Sequence, residues 1–370
     1  MKAFINGEIF DGEKALTGKA LLVENDRIID ITNSPVPPSA EIYDVGGDYL
    51  IPAFIDIQLY GGNGLLFAER PTVEAIQATL AFAMQGGATH ILPTIATNSF
   101  EKIFEAIEAV RKYNSLGLPG VIGLHVEGPF INPAKKGAHV EQFIKKPTMQ
   151  DAKEWMKRGK GIIRMITLAP EVCTDEVIRF LQDHDVVVSA GHTNATYEEG
   201  IYAFSKGIRT ATHLYNAMSS LQHRAPGMVG AVFNSSAMSS IVADGHHVDF
   251  AAIKIAKRIM NERLFLITDA VTENNEGYYQ HRLQGDKFVL PDGTLSGSNL
   301  TMLKAVKNCI EYAEMNREEA FRMASLYPAQ VMGLDNELGK LQKGYKAEFI
   351  RVSKSLDLTG VFTNREFTLV

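Results

Sequence analysis

Residues 186–192 read Val186-Val187-Val188-Ser189-Ala190-Gly191-His192, and residues 264–269 read Leu264-Phe265-Leu266-Ile267-Thr268-Asp269. Each is a short apolar run that ends on a residue able to bind a metal or move a proton. A strand apolar on both faces belongs in a sheet that is covered on both sides. Working outward, the texture recurs at 54–57, 88–95, 121–126, 162–168, 186–190, 211–214, 240–243 and 264–268, eight runs in all. Amphipathic segments at 73–84, 103–111, 175–182 and 250–260 fill gaps between them, and Thr174 and Asp249 stand where helix N-caps belong. Eight buried strands alternating with helices predict an α/β fold, a parallel sheet closed into a (β/α)8 TIM barrel. An open doubly wound sheet is the alternative, but no Gly-x-Gly-x-x-Gly follows the first run.

The two ends of the chain have a different texture. Residues 1–50 are short apolar runs split by turn signals: Asn6-Gly7 between Ala3-Phe4-Ile5 and Ile9-Phe10, and Glu24-Asn25-Asp26 between Leu21-Leu22-Val23 and Ile28-Ile29. Asn-Gly predicts a tight hairpin, because both residues tolerate positive φ. Residues 339–370 look alike, and neither end is long enough for a stable sheet of its own. The expected organisation is a barrel over 51–338, with 1–50 and 339–370 as the two halves of one small β-sandwich domain.

Composition narrows the function. Of the 370 residues 45% are hydrophobic and 22% charged, which excludes a disordered or fibrous chain. A formal charge of −6 gives no footprint for nucleic acid or an anionic membrane. Two cysteines, Cys173 and Cys309, make neither a disulfide framework nor a metal site. Residues 1–18 lack the apolar stretch of a secretory signal, and no run spans a bilayer, so a cytoplasmic location is expected.

The polar residues fall at the ends of the runs: Gln58 after the first, Glu127 after the third, His192 after the fifth, His213 after the sixth and Asp269 after the eighth. The C-terminal ends of barrel strands are where barrel enzymes assemble their sites. One histidine there would mean little. Glu, His, His and Asp from independent strands form a donor set suited to a divalent metal such as Zn²⁺.

The motifs His125-Val126-Glu127-Gly128-Pro129-Phe130, Lys136-Gly137-Ala138-His139, Ala190-Gly191-His192-Thr193, Thr212-His213-Leu214-Tyr215-Asn216-Ala217-Met218, Asp244-Gly245-His246-His247-Val248, Thr268-Asp269-Ala270 and Gly293-Thr294-Leu295-Ser296-Gly297-Ser298 together resemble those of the N-acetylglucosamine-6-phosphate deacetylase family, a branch of the amidohydrolase superfamily. The resemblance runs almost end to end. It implies metal-dependent hydrolysis of the acetamide of a phosphorylated amino sugar, giving acetate and glucosamine 6-phosphate. It makes Glu127, His192 and His213 ligands of one divalent ion per subunit, Zn²⁺ or Fe²⁺, and Asp269 the acid–base residue. By the same resemblance His139 is the candidate for polarising the carbonyl. The backbone N–H groups of Asn216 and Ala217 match the family's phosphate contacts, as does Arg224, which the family supplies from the neighbouring subunit of a homodimer. Ala138, His247 and Leu295-Ser296-Gly297 match positions that hold sugar hydroxyls or close over the substrate.

One departure from the superfamily matters. Many members carry His-x-His at the end of the first strand for a second metal; here it is Gln58-Leu59-Tyr60. This predicts a mononuclear site, with Gln58 orienting the attacking water and Tyr60 as pocket wall. Among the other histidines, His90 reads as core, His125 as a partner behind Glu127, and His184 and His281 as solvated. His223 and His246 stand between site and surface. Two alternatives remain open: N-acetylgalactosamine 6-phosphate as substrate, differing at C-4, and an inactive interaction protein that keeps the fold.

Overall fold

The computed structural model describes residues 1–370 and contains the expected barrel. Its strands are β1 (Phe54–Leu59), β2 (Ala88–Ala96), β3 (Leu124–Glu127), β4 (Ile163–Leu168), β5 (Val187–Ala190), β6 (Thr210–Ala211), β7 (Met238–Ile241) and β8 (Leu264–Leu266), each parallel to its neighbour in sequence. Beyond the regular ladder, the Asp269 amide donates to the Gln58 carbonyl at 2.9 Å and the Tyr60 amide to Ala270 at 2.8 Å. These bonds join the last strand to the first and close the barrel.

A helix follows each strand: α1 (Val73–Gln85), α2 (Phe100–Ser115), α3 (Met149–Gly159), α4 (Asp175–Gln182), α5 (Tyr197–Ser205), α6 (Gly227–Phe233), α7 (Phe250–Met260) and α8 (Met302–Glu311). Their starts are chemically marked. Thr72, Ser99, Thr148, Thr174, Thr196 and Asp249 each accept a hydrogen bond from a backbone amide of the first turn, and Thr148 and Thr196 form capping boxes with Asp151 and Glu199. Each such cap is worth about 1 kcal/mol and fixes where the chain turns back from the strand end.

The observed strands are shifted from the apolar runs where the barrel mouth begins. Residues 121–123 precede β3, and 212–214 lie beyond β6, because the chain leaves the ladder early to place His213. Gln58, read as following its run, lies within β1. Below the mouth the barrel interior is a bonded polar layer. His125 Nε2 meets Thr167 Oγ1 at 2.8 Å, Thr167 meets Thr212 at 2.8 Å, and Thr212 meets Ser189 at 2.6 Å.

Both ends of the chain meet in one six-stranded sheet, where Phe349–Val352 pairs antiparallel with Tyr49–Pro52, flanked by Glu8–Phe10 and Leu358–Thr363. A four-stranded sheet built from Lys2–Ile5, Ala20–Glu24, Arg27–Thr32 and Glu41–Asp44 packs on it. Phe4, Leu50, Phe349 and Phe362 are buried between the two sheets, and the rings of Phe349 and Phe362 stack at 4.8 Å. Glu24-Asn25-Asp26, read as a turn signal, joins the hairpin of Ala20–Glu24 and Arg27–Thr32, with Asn25 at φ 55°. Asn6-Gly7, expected to form a tight hairpin, does not. Lys2–Ile5 and Glu8–Phe10 go to different sheets, so the turn is a crossover. Asn6 takes positive φ at 58°, while a Cβ on Gly7 would meet Val45 at 2.9 Å.

The sheet pairing predicts the effect of truncation. Removing residues 339–370 strips Phe349–Val352 from the buried strand Tyr49–Pro52 and leaves an open apolar edge. The truncated chain should accumulate as insoluble protein, measured by the soluble fraction after expression. A soluble, active truncation would show that the tail is dispensable.

Candidate active site

The barrel mouth holds a cavity of ≈ 210 Å³ whose lining includes Tyr60, Glu127, His139, His192, His213 and Asp269. Three of these, His192, His213 and Asp269, have φ of 51°, 36° and 55°. Left-handed backbone costs a non-glycine residue about 1–3 kcal/mol and persists only where surrounding structure enforces it. Here each strand has just ended, and the sharp turn aims the next side chain across the barrel axis instead of out over the rim.

Glu127 is the centre. It is 1% exposed, and every neighbour addresses its carboxylate. His213 Nε2 lies 3.1 Å from Oε1, His192 Nε2 3.5 Å from the same atom, and His139 Nε2 3.1 Å from Oε2. Burial alone would raise the acid's pKa, but the three imidazoles hold it well below the usual carboxylate range. The Gln58 amide reaches Tyr60 Oη at 2.7 Å, Asp269 Oδ1 at 2.8 Å and Glu127 Oε1 at 3.0 Å. The Tyr60 hydroxyl donates to Glu127 Oε2. Burial, followed by the charges of Asp269 and Glu127, drives the Tyr60 phenol well above its ordinary value, so it stays a donor.

Two triads here could hold a metal ion. Glu127, His139 and His192 bring ligand atoms within 4.8 Å of one another. Glu127, His192 and His213 have ligand atoms 3.1 and 3.5 Å apart along the two carboxylate edges and 3.2 Å apart between the two Nε2 atoms. A tetrahedral ion with bonds of about 2.0–2.1 Å separates its ligand atoms by about 3.3 Å, which the second triad matches on all three edges. The ring tautomers decide the matter. His192 Nδ1 lies 2.8 Å from the Lys135 carbonyl and His213 Nδ1 3.2 Å from the Asn216 carbonyl, so each ring can keep its proton on Nδ1 and turn an Nε2 lone pair to an ion held between them. His139 is the reverse. Its Nδ1 accepts from the Thr97 backbone amide at 3.3 Å, so its proton sits on Nε2. Burial pushes the His139 imidazole down to about 4, so it is a neutral N–H donor.

Of the other residues singled out in the sequence, Ala138, Asn216, Ala217, His247, Leu295, Ser296 and Gly297 all line the cavity. Gln58 lies against it, behind Tyr60. Arg224 does not belong to this chain's cavity; it is exposed in the segment between Ala217 and α6. His125 bonds the Ile57 carbonyl and Thr167, with no bond to Glu127. His223 is exposed, and His246 pairs with Asp286 at 3.0 Å outside the cavity. Cys309 is buried in the core as a structural thiol. Two expectations are corrected. His281 is not solvated: it is 4% exposed, lines the cavity and bonds Ser296 Oγ at 3.0 Å. His184 is half-buried, bonded to the Phe180 carbonyl at 2.7 Å in the last turn of α4.

Asp244, Thr97 and Tyr279 were missed. Asp244 Oδ2 accepts from His247 Nδ1 at 2.6 Å, while His247 Nε2 donates to the Ser296 carbonyl at 2.6 Å. Burial would depress this imidazole, but Asp244 raises it, and with both nitrogens donating it is a cation. The i, i+3 spacing in Asp244-Gly245-His246-His247 was the available signal. Tyr279 donates to the Thr97 carbonyl at 2.5 Å, behind His139, and had no local signal.

A barrel with polar residues from several strand ends converging on one buried carboxylate defines a hydrolase class, and the chain belongs to the amidohydrolase family, whose model matches residues 49–369. Within that class its relatives are narrower. It is 32% identical to the N-acetylglucosamine-6-phosphate deacetylase of Haemophilus influenzae, over 98% of each chain. The crystal structure of N-acetylglucosamine-6-phosphate deacetylase from Pasteurella multocida superposes with a TM-score of 0.96 at 32% identity, covering 100% of both chains. An N-acetylgalactosamine-6-phosphate deacetylase from Shewanella is 33% identical over 83% of this chain and 80% of its own. No helix is long and apolar enough to cross a membrane.

The tautomers make a prediction that metal analysis can check. His192→Ala and His213→Ala should each lose most of the bound divalent ion, whereas His139→Ala should retain it near one per chain. Loss of metal from His139→Ala with retention in His213→Ala would reverse the assignment.

Proposed function

We propose that this chain hydrolyses the acetamide of N-acetylglucosamine 6-phosphate to glucosamine 6-phosphate and acetate. The observation that carries the reading is the convergence of Glu127, His192, His213, His139 and Asp269 on one buried point at the floor of the cavity. The relatives of matching length and name support it.

Glu127, His192 and His213 would hold one divalent ion, Zn²⁺ first and Fe²⁺ by the same donors. When bound, such an ion supplies Lewis acidity towards the acetyl carbonyl and makes hydroxide available near neutral pH. The remaining work falls to the chain. Asp269 takes the proton of the attacking water and delivers it to the amine nitrogen, since an amine leaves readily only when protonated. Burial raises the Asp269 carboxyl above its usual range, which suits a group that must both accept and release a proton. The His139 Nε2–H donates to the carbonyl oxygen as charge develops there. Gln58 fixes Asp269 and Glu127 through its amide. Gln58 and Tyr60 present N–H and O–H donors to the carboxylates, so the place a second ion would take is filled by hydrogen bonds, and one ion per chain is expected.

The Ala217 amide, at φ 49° on the cavity wall, is suited to the phosphate, whereas the Asn216 N–H is committed to the His213 carbonyl at 2.9 Å. Arg224 would complete that subsite from a partner subunit of a homodimer, where its planar fork fits phosphate. A cytoplasmic location suits a substrate that carries a phosphate. The second reading, the C-4 epimer N-acetylgalactosamine 6-phosphate, is favoured by relatives of similar identity that carry that name. Comparing kcat/KM for the two 6-phosphates tests the choice.

Asp269→Asn keeps the shape but carries no proton, so kcat should fall by about 10²- to 10⁴-fold with metal content unchanged. Near-full activity in that variant would move the proton transfer elsewhere. Arg224→Ala should lower kcat/KM for the 6-phosphate by about 10- to 150-fold, the value of a lost charge-assisted bond, and leave unphosphorylated N-acetylglucosamine almost unaffected. Mixing Arg224→Ala chains with Asp269→Asn chains should restore activity if Arg224 crosses the interface, because each mixed dimer then has one intact site. No recovery after verified subunit exchange would confine Arg224 to its own chain.

A further inference from the structure

The barrel is closed unevenly. Each strand from β1 to β8 shares a parallel ladder with the next, but β8 and β1 share none. At the mouth their seam is joined by the backbone amides of Asp269 and Tyr60. One layer below, a side chain crosses it. Asp56, in β1 and 1% exposed, accepts the Thr268 hydroxyl on Oδ2 at 2.5 Å and the Thr268 N–H on Oδ1 at 3.3 Å. The same Oδ1 accepts the Gln58 N–H at 3.3 Å. A buried carboxylate is costly unless its oxygens are addressed, and here the donors come from both sides of the seam.

Thr268 immediately precedes Asp269, and Asp56 is one of several restraints on it. The Ser298 hydroxyl donates to the Thr268 carbonyl at 2.5 Å, and the Ala270 N–H donates to Thr268 Oγ1 at 3.3 Å. The Thr268 hydroxyl thus gives its proton to Asp56 and takes the Ala270 N–H on its oxygen. The Ser298 N–H adds a bond to the Asp269 carbonyl at 2.8 Å. The left-handed turn at Asp269, φ 55°, therefore starts and ends on anchored residues.

The same carboxylate restrains the residue that meets the Asp269 side chain. Asp56 and Gln58 stand two apart on β1 and so share one face of it, and Gln58 Nε2 donates to Asp269 Oδ1 at 2.8 Å. One buried group thereby holds the backbone of the residue before Asp269 and the backbone of the residue that bonds its carboxyl. Asp56 itself is absent from the cavity lining, so it acts only through these neighbours. Such indirect support matters because a misplacement of about 1 Å in a reacting group can cost about 10²-fold in rate.

We propose that Asp56 is a positioning residue for the deacetylation: through Thr268 on one strand and the Gln58 amide on the other, it sets where the Asp269 carboxyl stands. This rests on the proposed function, and the test separates the two. The intact metal-loaded enzyme and the variants Asp56→Asn, Thr268→Val and Thr268→Ser are assayed on N-acetylglucosamine 6-phosphate and its C-4 epimer, with kcat, KM and metal content measured for each. Asp56→Asn puts an N–H donor against the Thr268 hydroxyl, and Thr268→Val removes that hydroxyl. Each should lower kcat by about 10- to 100-fold, with KM within about 3-fold and metal content unchanged. Thr268→Ser keeps the hydroxyl and should stay within about 3-fold of the intact enzyme in kcat. Adding Asp56→Asn or Thr268→Val to Asp269→Asn should slow it by no more than about 3-fold further, because the group being positioned is gone, whereas a role in stability alone would make the losses multiply. If Asp56→Asn does not fold, the Thr268 variants carry the same comparison. Intact kcat in the folded variants, equal losses in Thr268→Val and Thr268→Ser, losses confined to KM or metal content, or multiplying losses in the double variants overturn the inference while the deacetylase reading stands. An intact enzyme inactive on both 6-phosphates overturns both.

Discussion

The buried Glu127 carboxylate is the constraint on which the rest of the site depends. An anion sealed from water costs several kcal/mol unless nearly every lone pair is addressed. Here the surrounding groups come from four separate places: Gln58 and Tyr60, on and after β1, and His139, from the loop after β3, donate to it, while His192 after β5 and His213 after β6 bring their Nε2 atoms beside it. A barrel is the architecture that lets so many strand ends point at one atom pair. The same convergence brings the Nε2 atoms of His192 and His213 within 3.2 Å of each other beside a carboxylate, a donor set that fits a cation.

The strained backbone is the local expression of that demand. His192, His213, Ala217 and Asp269 all take positive φ, though none is glycine. Each follows closely on a strand end, and a right-handed or extended continuation would carry its side chain away from the axis. The barrel closure supplies part of the restraint, because the Asp269 amide is bonded to the Gln58 carbonyl and the Ser298 amide to the Asp269 carbonyl. Glu171 supplies more: its carboxylate takes hydrogen bonds from Asn132, Thr193 and the Asn194 amide, tying together the loops that carry His192 and flank Glu127. Stability located in these loops is therefore spent on the geometry of the mouth, while the helices and their caps carry the fold.

The long excursion between β8 and α8 serves the cavity and not the barrel. It brings Tyr279, His281 and Leu295-Ser296-Gly297 over the mouth and is fastened by the His247–Ser296 bond and by the Tyr279 amide on Glu69. A wall built from so distant a segment can change its side chains without disturbing Glu127 or its partners.

Much was legible in the residues themselves. Period and polarity decide strand and helix, so eight apolar runs, their intervening amphipathic segments and the caps Thr174 and Asp249 could be read locally, and the polar residues at run ends marked Glu127, His192, His213 and Asp269. What could not be read locally was decided by tertiary contact. Asn6-Gly7 has hairpin chemistry, but its flanking strands find better partners in two different sheets. His281 sits among polar neighbours in sequence and is buried only because its loop folds back on the cavity. Which histidines present lone pairs and which presents a proton depends on the Lys135, Asn216 and Thr97 backbone groups that happen to face them. Residue type and spacing set the inventory of chemistry; only the folded chain, by choosing each side chain's neighbours and its share of water, decides what that chemistry becomes.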